Sequence, residues 1–245
     1  MSKLSAVVTG ASRGIGLGIA TRLAERGYDL TIAARDETRL AAVAKDLRAS
    51  GGGVVQIAPG DIADEAYLEA LIGLHANRFD SLNALILNAG VGSAGMLADF
   101  HPKRFDKQMT LNLRAPFVLL QQALPLLRAA AADDQRGSKV IALASITGRY
   151  AESELAVYGA AKAGLMSLCR SVNREEAANG VTATAFAPAY VDTDMAEFKH
   201  DVIAPKDMIS VADLVELADV CLRLSRRSIV SEIVVARSNS HGYCA

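Results

Sequence analysis

The chain has 245 residues, 51% hydrophobic and 22% charged, a size and balance that suit one large or two small domains with a sizeable core and exclude a disordered segment. Its 26 basic and 27 acidic side chains leave a net charge of -1 and form no like-charged run, so nucleic-acid or acidic-membrane binding has no electrostatic support. No apolar run approaches membrane-spanning length, and MSKLSAVVTG enters a strand-like segment without a secretory leader pattern.

Short β-branched or apolar runs at 6–9, 30–34, 54–58, 84–87, 139–144, 182–187 and 229–235 alternate with helical patterns. That rhythm predicts parallel strands joined by crossover helices: a single α/β domain with a doubly wound sheet of about seven strands, covered on both faces. The stretch 37–49 carries Leu40, Val43, Ala44 and Leu47 at helical spacing and stops at Gly51, Gly52 and Gly53. Pro116 and Pro125 predict a kink or break in the apolar helical segment 111–130. After Pro188 the pattern lapses into VDTDMAEFKHD, which predicts a loop or lid. Cys169, Cys221 and Cys244 are widely spaced without metal-ligand spacing, which fits buried or incidental thiols in a reducing cytoplasm.

The first strand runs into TGASRGIG, with Gly10, Gly14 and Gly16 at the turn that opens the first long helix. Such a unit brings backbone N–H groups and the positive end of a helix to a pyrophosphate, and makes Ser12, Arg13 and Ile15 candidate cofactor contacts. The alternative is a glycine turn that merely lets helix and strand pack closely. Further on, YGAAK sets Tyr158 and Lys162 four residues apart at a helix start, on one face. An unperturbed tyrosine has a pKa of about 10, and a neighbouring ammonium would favour its phenolate. Ser145 stands at the end of the fifth strand, where open α/β sheets place their ligand crevice.

Taken in order, TGxxxGxG, Asp61, Asn88-Ala89-Gly90, Asn112, Ser145 and YxxxK resemble the short-chain dehydrogenase/reductase family over nearly the whole chain. The resemblance implies an NAD(P)-dependent oxidoreductase that moves a hydride between nicotinamide and a carbonyl or secondary alcohol, acting as a 3-oxoacyl reductase or a general ketone and aldehyde reductase. It implies that Tyr158 exchanges the proton, Ser145 bonds the substrate oxygen, Lys162 binds the nicotinamide ribose, and Asn112 positions a water feeding Lys162. Asp61, with Ile62 beside it, would meet the adenine ring; a helix cap is the other reading of Asp61. Asn88, Ala89 and Gly90 would let backbone pass close to the cofactor, with Pro188, Val191 and Thr193 at the nicotinamide carboxamide. A homodimer or homotetramer is likewise implied.

No metal is called for, since the four His residues lack ligand spacing. Ala34 stands where NAD-preferring enzymes carry an acidic residue; with Arg35 next to it and Arg13 in the glycine turn, NADP is the expected cofactor, NAD remaining possible. Two features depart from the family: Ala189 follows Pro188 where glycine is usual, and the ending SEIVVARSNSHGYCA is not Gly-rich. Candidate substrate walls are Val91, Ser93, Ile146, Arg149, Tyr150, Tyr190 and the segment from Thr193 onward. Arg149 would meet an anionic substrate unless it is simply solvated. A dinucleotide-binding sensor without chemistry is the rival reading; it has no physical need for Ser145, Tyr158 and Lys162 together.

Overall fold

A computed structural model describes residues 3–51, 53–238 and 240. Seven parallel strands form one sheet: β1 (Ser5–Thr9), β2 (Asp29–Ala34), β3 (Val55–Pro59), β4 (Ala84–Leu87), β5 (Ser138–Leu143), β6 (Val181–Pro188) and β7 (Glu232–Val235), in the order β3-β2-β1-β4-β5-β6-β7. The chain therefore crosses from one edge back past β1 between β3 and β4, and the reversal opens a crevice at the carboxyl ends of β1 and β4. The first six strands lie within a residue of expectation. The seventh starts at Glu232 rather than 229, where Ile229 is 47% exposed and lies outside the ladder.

Helices α1 (Gly14–Glu25), α2 (Glu37–Gly51), α3 (Glu65–Ala76), α4 (Pro102–Met109), α5 (Ala115–Asp133), α6 (Ala156–Glu176) and α7 (Val211–Arg223) cover both faces. On one face Ile19, Leu23, Leu40, Leu47 and Leu222 pack on Val8, Leu30, Ile32 and Ile86; on the other, Leu71, Leu119, Leu127, Leu165 and Cys169 pack on Leu85, Val140 and Ala185. Near-continuous apolar strands are the signature of a sheet buried on both sides. Cys169 and Cys221 are buried free thiols, while Cys244 and the last residues of the atypical ending lie outside the described residues.

The proline prediction needs correcting. Thr110–Arg114 forms a π turn, and α5 then runs unbroken through Pro125. Pro116 has no N–H to return to the carbonyl of Asn112, which favours the wider turn before it; Pro125 costs a bond, but Val118, Leu119, Ala123 and Leu127 hold the helix down by burial. The continuous stretch Pro102–Asp133 is also long and apolar enough, at mean hydropathy 1.2, to cross a membrane by length and composition, contrary to the sequence reading. Half of its most apolar window is buried inside the protein, as befits a core helix.

At the amino end of the sheet His75 of α3 is fully buried. Its Nδ1 lies 2.8 Å from the Thr31 hydroxyl and its Nε2 lies 3.3 Å from the Ser5 hydroxyl and 3.2 Å from the Ser81 carbonyl. Burial pushes its pKa down to about 4 from 6.5. The stability this implies is complete above pH 6.5 and is lost as pH falls towards 4, at a cost of about 3 kcal/mol. Urea unfolding should show that loss in the parent and a flatter curve for His75→Gln; parallel curves would refute the assignment.

Candidate active site

The carboxyl ends of the strands surround one cavity of about 900 Å³. Where β1 and β4 end side by side, the Thr9 hydroxyl receives the N–H groups of Asn88 (3.0 Å) and Ala89 (3.1 Å) and donates to the Ile86 carbonyl at 3.1 Å. The Asn88 amide nitrogen donates to the carbonyls of Thr9 and Gly10, at 3.1 and 3.0 Å. The glycine turn after β1 is thereby tied to the end of β4. Gly10 has φ +64 and its missing Cβ would sit 2.7 Å from that amide nitrogen; at Gly16 a Cβ would fall 2.3 Å from the Gly10 carbonyl oxygen. Only glycine fits either place. Gly16 thus lies beneath the turn and does not line the cavity, whereas Gly10, Ser12, Arg13, Gly14 and Ile15 do. No side chain caps the start of α1, so its first N–H groups remain available to an anion.

One end of the cavity carries two arginines, with Asp36 and Asp61 among its other lining residues. Ala34, Arg35 and Arg39 line it beside Asp61 and Ile62. Asp61 accepts from the Ala63 N–H at 3.0 Å, while the capping of α3 falls to Asp64, which accepts from Ala66; the cap reading of Asp61 is thus displaced by three residues. Arg13 is not free: its guanidinium pairs with Asp194 at 2.8 Å, across from the segment after β6. Both partners are about half exposed, so solvent screening leaves the pair weak. Arg39 was not foreseen. The Asp36 carboxylate, accepting from its N–H at 2.9 Å, starts α2 and sets Arg39 on the cavity side.

The other end holds Ser145, Tyr158 and Lys162, with Asn112 and Gly90 beside them. Lys162 is buried, donates to the Leu143 carbonyl at 2.7 Å, and has its ammonium 5.5 Å from the Tyr158 ring centre. The Asn112 side chain is spent on the backbone of Val91, donating to its carbonyl at 2.8 Å and accepting its N–H at 3.1 Å. Burial raises the Tyr158 pKa to about 12, a hydrogen bond with Ser145 opposing it, and burial lowers that of Lys162 to about 8. Burial of the two groups thus works against the phenolate that the ammonium is expected to favour.

Pro188, Val191 and Thr193 line the cavity, Thr193 with its methyl group over Gly14. Of the expected substrate walls, Val91, Ser93, Tyr190 and the segment from Thr193 are in place. Ile146, Arg149 and Tyr150 are not: Ile146 is fully buried, Tyr150 packs against the cluster around it, and Arg149 pairs with Glu232 at 2.9 Å. The segment after β6 is held at its ends by a bridge between Val191 and Ile209, and presents Met195 and Phe198, 50% and 62% exposed, at the cavity mouth.

A model of the short chain dehydrogenase family matches residues 5–202. The chain belongs to that family. A curated relative is the 3-oxoacyl-(acyl-carrier-protein) reductase FabG of Staphylococcus aureus, 35% identical over 199 residues, 80% of this chain and 78% of the relative. Among solved structures, an alcohol dehydrogenase from the archaeon Thermococcus sibiricus, complexed with 5-hydroxy-NADP, superposes with a TM-score of 0.86 at 25% identity over 97% of both chains. A short chain dehydrogenase from Burkholderia cenocepacia in complex with NADP gives 0.83 at 28% over 96% of both. As a short-chain dehydrogenase the protein is an oxidoreductase, and its Ala189 becomes intelligible: among the described residues Glu154 is the only non-glycine with positive φ, so alanine is unstrained there. The Ala189 N–H is used by the Val235 carbonyl at 2.8 Å, which leaves the methyl group buried.

Proposed function

We propose that this short-chain dehydrogenase reduces the carbonyl of an uncharged ketone or aldehyde with an apolar arm, using NADPH. The observation that carries the reading is the meeting of Tyr158, Ser145 and Lys162 at one end of a long cavity whose other end carries Arg35 and Arg39. The cavity fits a dinucleotide: arginines for a 2′-phosphate, the uncapped start of α1 for the pyrophosphate, Asp61 and Ile62 for the adenine, and Pro188, Val191 and Thr193 for the carboxamide. When bound, the nicotinamide supplies the hydride for the carbonyl carbon. Tyr158, protonated at neutral pH, gives its proton to the carbonyl oxygen, and Ser145 hydrogen-bonds the same oxygen. Lys162 would donate to the ribose hydroxyls, and Asn112 holds the backbone of Val91 alongside. Alcohol oxidation would need the Tyr158 phenolate, which burial disfavours, so reduction is the favoured direction.

The substrate class follows from what surrounds that end. Arg149 is engaged elsewhere, and Met195, Phe198, Tyr190 and Leu155 offer apolar surface. Both 3-oxoacyl thioesters and simple ketones meet this description. A half-exposed Phe117 beside a groove between α5 and α6 supports pairing of two copies along these helices. A panel of neutral and anionic carbonyl compounds, followed by the loss of NADPH absorbance, tests the proposal. Turnover of apolar neutral ketones is the expected result; cofactor binding without turnover on any carbonyl would favour the sensor reading.

A further inference from the structure

Thr147 is two residues beyond Ser145, in the 3₁₀ turn Ile146–Gly148 that follows β5. It is 6% exposed and lines the cavity. Its hydroxyl donates to the Ser145 oxygen at 3.0 Å and its N–H donates to the same oxygen at 3.3 Å. A serine hydroxyl has two acceptor positions and one hydrogen. Thr147 takes both acceptor positions, so the hydrogen is what Ser145 has left to offer, into the cavity that Ser145 and Tyr158 both line. The Thr147 backbone is itself seated on α6: a Cβ at Gly159 would lie 2.8 Å from the Thr147 carbonyl oxygen. One residue thus joins the end of β5 to the turn of α6 that carries Tyr158.

We infer that Thr147 is a positioning residue that fixes Ser145 as a hydrogen-bond donor towards Tyr158 and the substrate oxygen. Without its hydroxyl, Ser145 can rotate and offer a lone pair instead, which no longer stabilises negative charge on either oxygen. A helix-cap role alone would be satisfied by the Thr147 N–H, which every substitution but proline retains. The inference rests on the reductase reading, and its test separates the two.

Thr147→Val keeps the branched shape and removes the hydroxyl; Thr147→Ala, which only deletes atoms, is measured beside it, and Thr147→Ser restores the donor. Loss of one hydrogen bond that strengthens in the transition state should lower kcat about five- to twentyfold in Val and Ala, with NADPH affinity unchanged and Ser within about threefold of the parent. In a Ser145→Ala background Thr147→Val should cost nothing further. In protein made with ring-labelled tyrosine, the Tyr158 resonance, identified through Tyr158→Phe, should move in Thr147→Val and stay in place in Thr147→Ser, whether or not a substrate is known. An active parent matched within twofold by Thr147→Val, an equal loss in the Ser145→Ala background, or an unmoved Tyr158 resonance would each overturn the inference. An inactive parent would fail the reductase reading alone, the resonance still deciding for Thr147.

Discussion

Tyr158→Phe is expected to lower kcat by about two to four orders of magnitude while NADPH affinity stays within about twofold, because the change removes one proton donor and little else. The ring remains, and with it the packing and the cation–π contact with Lys162, whose ammonium lies 5.5 Å from the ring centre. What disappears is the hydroxyl, whose pKa burial pushes up to about 12, and with it the acid for the carbonyl oxygen. Ser145 cannot take over that duty, since a serine hydroxyl is far too weak an acid to surrender its proton, and Lys162 is turned to the Leu143 carbonyl at 2.7 Å. Steady-state rates and a cofactor titration on the same preparation check the expectation. Turnover within a fewfold of the parent would remove Tyr158 from the chemistry; a collapse of cofactor binding would recast it as a binding residue.

The parent should prefer NADPH over NADH by about ten- to a hundredfold in kcat/KM, and Ala34→Asp should reverse that preference. One arginine on a phosphate is worth roughly 1.5 to 3 kcal/mol, which is that factor. Arg35 and Arg39 border the cavity next to Ala34, which has no carboxylate to bond ribose hydroxyls or repel a 2′-phosphate. Asp36 is also at this end, but one of its oxygens accepts from the Arg39 N–H at 2.9 Å. Arg13 adds to the total only by leaving Asp194, an exchange between exposed partners that costs little. Initial rates with both cofactors for parent and variant are the measurement. A parent that favours NADH, or a variant whose preference is unchanged, would show that the arginines are solvated surface charges.

What could be read from the chain was what local pattern determines. Parallel strands betray themselves by continuous apolar runs, and TGASRGIG needs its glycines because Gly10 and Gly16 press on the Asn88 amide and on each other. Tyr158 and Lys162 could be paired because one helix carries both. What local pattern left out concerns partners distant in sequence. Arg13 meets Asp194, Arg149 meets Glu232, and Ile146 closes on Ala189 and Leu214, none of which a local pattern encodes. Pro125 was read as a breaker because proline removes a hydrogen bond, but burial of the flanking turns outweighs that loss. Thr147 carried a faint signal, a hydroxyl two residues beyond the strand-end serine, that becomes meaningful only once the turn is seen.

The face of the sheet under α6 is floored by the smallest side chains: Ala142 and Ala144 of β5 and its extension, and Ala183, Ala185 and Ala187 of β6, all 5% exposed or less. These methyl groups act as a shim. They set how low α6 rides, and since Tyr158 and Lys162 travel with that helix while Ser145 travels with β5, the thickness of the layer sets the aim of the three side chains. A valine in any of these places would add two carbons in a packed interior and lift the helix before it unfolded anything. The tolerance of the chemistry is therefore written partly into alanines that never meet a ligand, and variants with sound folding and poor turnover should be sought there as well as around the cavity.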